Sequence, residues 1–260
     1  MTDGTNWPEM LLLHGIPTHS ALWRPVLERL DGVRAIAPDL PGYGNTASPR
    51  NPNIVVYHRF ISAMLTSEHM HAPILVGHDL GGLYALTYAI AHPHRVRAVV
   101  LLNTTIYADP LVVLGLVPLL APIFGEANAW LAGRARYREL RQRGLASIYP
   151  GATPQDTIRA LTEPYGNSSS WLAVLRSLRG LSPVRVLRWR STMPRLALPV
   201  LILWGEGDPY FPASVPERLY RDLPCAQLHY VRDAGHFPML SHPDEVANTL
   251  ADFSRSPLGG

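Results

Sequence analysis

The chain has 260 residues, 47% of them hydrophobic and 17% charged, with a net charge of +3 and one cysteine, Cys225. That length and apolar share suit one globular domain, or one domain carrying a large insertion. One cysteine excludes an internal disulfide and a cysteine-rich metal site. No apolar run reaches the ~18 residues of a membrane-crossing helix; the nearest, Leu111 to Phe124, is broken by Gly115, Pro118 and Pro122. The polar stretch Met1 to Glu9 does not read as a leader peptide, so a reducing cytoplasm is the expected location, with no membrane partner. All 23 basic residues are Arg, and twelve of them lie between Arg134 and Arg195 against Glu139, Asp156 and Glu163. With no interleaved aromatics or zinc-ligand spacing, that run reads as the solvated face of helices rather than a nucleic-acid surface.

Met10 to Leu13 reads as a short buried strand ending in His14-Gly15-Ile16-Pro17. A helix starting near Ser20 carries Leu22, Trp23, Val26, Leu27 and Leu30 at helical spacing. Val33 to Ala37 is the next strand, stopped by Pro38-Asp39, and Asp39 to Gly44 is a loop dense in turn formers. Tyr57 to His69 reads as a helix. Pro73 to Val76 is a strand, Leu83 to Ala91 a helix, and Val96 to Leu102 another strand closed by Asn103.

The alternation then stops. From Tyr107 to Pro194 the pattern is helical, broken by Pro and Gly, with no buried strand. Leu198 to Trp204 restores the strand pattern and leads into Gly205-Glu206-Gly207-Asp208-Pro209. A helix-like piece around Leu219-Tyr220 precedes the last strand, Gln227 to Val231, and the loop Asp233-Ala234-Gly235-His236-Phe237. Asp244 to Phe253 is a closing helix with a capping signal at Ser241 to Asp244, and the tail from Ser254 is expected to fray. Near-continuous apolar strands alternating with helices predict a mostly parallel sheet covered on both faces, an α/β architecture. The core would be residues 1–106 and 195–260, with 107–194 as an inserted helical cap.

One stretch organises the whole: Ile74-Leu75-Val76-Gly77-His78-Asp79-Leu80-Gly81-Gly82. A strand enters, a helix leaves, and one acid sits at the apex. A turn that sharp strains the apex residue and needs small residues around it. The pattern small-x-nucleophile-x-small-small resembles the nucleophile elbow of the α/β-hydrolase family. The Asp at its apex resembles the branch of haloalkane dehalogenases and epoxide hydrolases, and Gly-His-Asp-x-Gly-Gly in particular looks like epoxide hydrolases. The resemblance covers essentially the whole chain. Such enzymes usually carry two more strands ahead of the His-Gly strand; here fewer than ten residues precede it, so those strands are expected to be missing or shortened.

The resemblance implies an Asp-His-Asp machine in three post-strand loops. Asp79 would be the nucleophile, His236 the base that activates water, and Asp208 the acid that orients the imidazole. Backbone N–H groups of Ile16 and Leu80 would form the oxyanion hole. No cofactor or metal is implied, and the partner would be a small molecule bound by a monomer or homo-oligomer. Haloalkane dehalogenases usually hold the halide with Trp or Asn side chains at the two positions occupied here by Leu80 and Ile16. Trp130, Trp171 or Trp189 would have to replace them. Fluoroacetate dehalogenases carry Arg after the nucleophile, which this chain lacks. Epoxide hydrolases use two cap tyrosines to protonate the leaving oxygen; Tyr107, Tyr137, Tyr149 and Tyr165 are available, and Tyr165 with Trp171 six residues on fits the late-cap Tyr…Trp arrangement. Phe124 and Trp130 lie where the earlier tyrosine is expected.

The expectation is therefore a cap-bearing epoxide hydrolase. A dehalogenase-like enzyme is the alternative, kept open by His-Gly-Ile-Pro-Thr-His-Ser-Ala-Leu-Trp-Arg. An ester- or lactone-cleaving hydrolase and a non-catalytic binder are the others. The arginine-only composition fits high-GC bacterial coding, a setting in which such enzymes often serve secondary metabolism.

Overall fold

The computed structural model describes residues 7–107, 127, 130, 149, 153–166, 168–181 and 183–256. Six strands form one sheet in the order β2-β1-β3-β4-β5-β6, and every pairing is parallel. They are β1 (Glu9–Leu13), β2 (Arg34–Ile36), β3 (Ile74–His78), β4 (Ala98–Leu102), β5 (Val200–Gly205) and β6 (Ala226–Val231). The apolar runs look continuous because both faces are buried. Leu11, Leu13, Leu75, Val99 and Leu101 join one core, while Met10, Leu12, Ile74, Val76, Val100 and Leu102 join the other. The period-two alternation of a strand thus divides two cores, not core and solvent.

Helices α1 (Arg24–Leu27), α2 (Ile54–Ser67) and α3 (Leu80–Ala91) connect the first four strands. Helices α2 and α3 bury Tyr57, Ile61, Tyr84 and Tyr88 on the first face. Among the described residues of 107–194 lie helices α4 (Gln155–Thr162), α5 (Ser168–Arg179) and α6 (Pro183–Thr192), with no strand. Their apolar residues complete the same two cores: Ile158 and Leu161 on one side, Val174 and Leu178 on the other. After β5 come α7 (Ser214–Asp222), β6, a short α8 (Pro238–Ser241) and α9 (Pro243–Arg255), which covers the second face with Val246, Leu250 and Phe253.

Two local expectations are corrected. The capping signal before α9 supplies no side-chain cap: the N-cap is His242, and Pro243 opens the helix at a position where no N–H is needed. The helix also runs past the expected fray at Ser254, because Ser254 is buried and its hydroxyl donates to the Ala251 carbonyl. Among the described residues no helix is long and apolar enough to cross a membrane.

The chain leaves β1 toward one edge of the sheet and leaves β3 toward the other. The carboxyl ends of β1 and β3 are therefore the topological switch point, where crevices form in parallel sheets.

Candidate active site

Asp79 occupies that switch point, as the single residue between β3 and α3, with φ 51° and ψ −122°. A non-glycine residue there carries strain of about 1–3 kcal/mol that its surroundings must hold. Its N–H donates to the Leu102 carbonyl at 3.2 Å, and its own carbonyl accepts from Gly82 N–H at 3.0 Å and from the Thr104 hydroxyl at 2.6 Å. The helix closes hard on the sheet. A Cβ at Gly77 would strike the backbone of Gly81 and Gly82, and one at Gly81 would strike the carbonyls of Leu13 and His14.

The β1 loop meets the carboxylate from the other side. Ile16 N–H donates to Asp79 Oδ1 at 3.0 Å, and a Cβ on Gly15 would run into the Asp79 side chain. Burial pushes the Asp79 carboxyl up most strongly. The His236 charge and the Ile16 and Leu80 N–H groups oppose that without overcoming it, so its pKa stays raised.

His236 follows β6, and its Nε2 stands 3.8 Å from Asp79 Oδ2. Its Nδ1 lies 2.9 Å from Asp208 Oδ2, so the Nδ1–H donates to the carboxylate and Nε2 faces Asp79. The imidazole lies among Tyr210, Phe211 and Phe237. Asp208, after β5, also accepts from Asn103 Nδ2 at 2.8 Å and from the N–H groups of Tyr210 (2.8 Å) and Phe211 (3.2 Å). Burial pushes Asp208 up. The His236 hydrogen bond and charge, with Asn103 and the Tyr210 amide, outweigh it and hold Asp208 below its ordinary value.

The sequence reading misses the supports of this trio. Asn103 ties Asp208 to the end of β5 by accepting from Gly205 N–H at 3.0 Å. His78 donates from Nε2 to the His236 carbonyl at 2.9 Å and so fixes the loop that carries the imidazole. His14 braces the first loop: its Nδ1–H donates to the Gly15 carbonyl, and its Nε2 accepts from Leu40 N–H. The Asn-Thr that follows β4 is the one sequence signal that could have revealed Asn103 and Thr104.

The aromatics expected in the cap are placed less simply. The Tyr165 hydroxyl donates to the Thr18 carbonyl at 2.6 Å, and the Trp171 indole N–H donates to the Tyr165 carbonyl at 3.1 Å. Tyr107 donates to Asp222 at 2.8 Å. Tyr149 is buried against Phe237, with no acceptor for its hydroxyl among the described residues. Trp130 is 58% exposed, and Trp189 packs on His58. Phe124 and Tyr137 lie outside the described residues.

The α/β hydrolase fold family matches residues 8–243. A pimeloyl-[acyl-carrier protein] methyl ester esterase of Aromatoleum aromaticum is 30% identical over 96% of this chain and 99% of its own. Among solved structures, the haloalkane dehalogenase DbeA of Bradyrhizobium elkani superposes with a TM-score of 0.82 at 19% identity, over 96% of this chain and 90% of its own. An esterase of Exiguobacterium antarcticum does so with 0.74 at 19% identity, over 96% and 92%. Likeness at that identity speaks for the fold, and the fold, the matched length and the relative agree: the chain belongs to the α/β hydrolase fold family.

Proposed function

We propose that this chain is a cofactor-independent hydrolase that opens an epoxide on a small, fairly apolar molecule through an alkyl ester of Asp79. The observation that carries the reading is the Asp79 carboxylate: it stands at the elbow, with one oxygen on the Ile16 amide and the other 3.8 Å from His236. A carboxylate attacks carbon without first losing a proton. Asp79 Oδ2 bonds to a ring carbon, the carbon–oxygen bond opens, and the freed oxygen takes a proton. His236 then removes a proton from water, and hydroxide adds to the ester carbon. Charge gathers on Oδ1, beside the Ile16 and Leu80 N–H groups. Collapse passes the His236 proton to the departing alcohol and leaves Asp79 as its acid, whose proton replaces the one given to the ring oxygen. Asp208 holds the ring tautomer and balances the imidazolium. Residues 107–194 act as the cap that shapes the substrate pocket, with Tyr165 and Trp171 as wall: their polar hydrogens lie on backbone carbonyls.

An epoxide is favoured over a haloalkane because Ile16 and Leu80 have aliphatic side chains, so neither offers a departing halide a side-chain N–H. The ester chemistry named for the Aromatoleum relative suits Asp79 poorly. A carboxylate attacking an ester carbonyl makes an anhydride and must expel an alkoxide, a far worse leaving group than itself.

The test weighs intact His236→Gln protein after exposure to panels of epoxides and haloalkanes. The ester should form and persist. An epoxide adduct carries the full mass of the reagent and disappears in the double variant with Asp79→Asn. An adduct lighter by one hydrogen halide, formed only from haloalkanes, would overturn this in favour of dehalogenation. No adduct with either class would remove Asp79 as nucleophile and turn the search to esters and lactones.

A further inference from the structure

A cavity of about 950 Å³, the size of a small-molecule site, lies away from Asp79. Its walls come from α2, the end of α3, α6 and the chain that enters β5. Pro93 and His94 stand ahead of β4, and Leu196 and Leu198 ahead of β5, so the cavity sits at the amino edge of the sheet. The loops that carry Asp79, Asp208 and His236 lie at the carboxyl edge. A five-residue strand such as β4 sets the two edges about 16 Å apart.

The depth and the rim of this cavity differ in chemistry. Ile54, His58 and Leu196 are buried, and Trp189 packs on the His58 ring at 5.7 Å. Thr87 gives its hydroxyl proton to the Leu83 carbonyl at 2.7 Å, so its oxygen accepts from His58 Nε2–H at 2.9 Å. Burial first, then the neighbouring His92, lowers the His58 pKa to about 4, and the ring is neutral at pH 7. The depth is therefore apolar and uncharged. Arg188 and Arg195, by contrast, are exposed where they bound the cavity. Neither has an ion-pair partner among the described residues, and no acid lines the cavity among them. Both belong to the arginine run that reads, in the sequence, as a solvated helix face. Here they border an apolar hollow, which a solvated face does not require.

We propose that this cavity binds a small amphipathic oxyanion, its apolar body seated against Ile54, Trp189 and Leu196 and its one carboxylate or phosphate head held at Arg188 and Arg195. Removing the body from water drives binding. The guanidinium forks give the head charge-assisted, two-point hydrogen bonds. A neutral molecule would leave both arginines unused, a bare oxyanion would leave the depth unfilled, and a cationic head would meet like charge. The site uses neither Asp79 nor His236, so it stands apart from the ester reading and goes beyond it.

The test is calorimetric titration of the full chain, in low salt, with octanoate, octyl phosphate, 1-octanol and inorganic phosphate. An octyl anion should bind, with 1-octanol and inorganic phosphate at least about 10-fold weaker, the worth of one hydrogen bond to a charged group. Whichever octyl anion binds tighter supports the proposal and names the head. Arg188→Gln combined with Arg195→Gln should weaken octyl-anion binding at least about 10-fold. Its Tm should stay within about 2 °C of the parent, because both side chains are exposed. In the parent, high salt should weaken the octyl anions several-fold and leave 1-octanol unchanged. Binding that persists in the double variant places the ligand elsewhere and overturns the proposal. Equal binding of 1-octanol, or octyl-anion binding indifferent to salt, overturns it by leaving the arginines a solvated face. Failure of both octyl anions to bind overturns it outright, and none of these results touches the Asp79 ester.

Discussion

Asn103 shows how much of the behaviour of Asp208 is set by a neighbouring side chain. It donates to Asp208 Oδ2 at 2.8 Å, beside the 2.9 Å bond from His236, and accepts from Gly205 at 3.0 Å. Truncation to Ala leaves the anionic Asp208 short of a donor and frees the turn that carries it. A hydrogen bond to a charged group contributes about 1.5–3 kcal/mol, so the step that relies on the Asp208–His236 pair should slow about 10–100-fold. The step made by Asp79 alone should not. Asn103→Ala should therefore accumulate epoxide adduct during turnover, visible by intact mass, while its adduct forms at the parental rate. Equal slowing of both steps would assign Asn103 to general packing. Residues of this kind are the least legible in a sequence. Asp79, Asp208 and His236 stand out because each sits in a loop directly after an apolar strand. Asn103 is known by a partner 105 positions away.

At the scale of the element, apolar runs and turn residues foretell most of the alternation. Strand β1 begins one residue before its expected start and β5 two after. Strand β2 is the weakest match: three residues long, it lies at the sheet edge and pairs on one side only. The short α8 escapes notice because four residues give no periodicity to read. The β3–α3 elbow is legible for the opposite reason, since its sterics dictate residue type. Gly81 packs against the carbonyls of Leu13 and His14, so an added methyl meets backbone that cannot rotate away. Gly81→Ala should cost about 1–3 kcal/mol by overpacking, a Tm drop of roughly 5 °C at this chain length. It should also lift α3 from β1, separating the Ile16 amide from Asp79 and slowing adduct formation. Calorimetry against wild type checks it, and an unchanged Tm would mean that the elbow has slack which this close approach denies.

For the molecule as a whole, the segment hardest to read is the insertion. Its helices bury residues in both cores of the sheet, and no pattern within residues 107–194 announces which residue meets which face. The histidines give the fold a second collective property, visible only once they are buried. His14 is enclosed between Gly15 and Leu40, and burial lowers its pKa from 6.5 to about 4. His58 is lowered to about 4 by burial and by the neighbouring His92, and burial with the His236 charge lowers His78 as well. In each case the unfolded chain takes up a proton near pH 6.5 that the folded chain refuses. Stability is thus complete above pH 6.5, falls as pH drops from 6.5 toward 4, and takes no further loss from His14 or His58 below that. For His14 the loss approaches about 3 kcal/mol across the window, a large part of what holds a domain together. Asp79 acts in the reverse sense: its raised pKa lets the folded chain take up a proton first, which offsets part of the fall at the acid end. Wild-type Tm should therefore drop steeply between pH 6.5 and 4.5. His14→Gln, which can keep a donor and an acceptor without titrating, should start lower at pH 7.5 and decline less steeply. Parallel curves for the two proteins would show that His14 shares in no proton linkage and that the acid sensitivity resides in the other buried histidines.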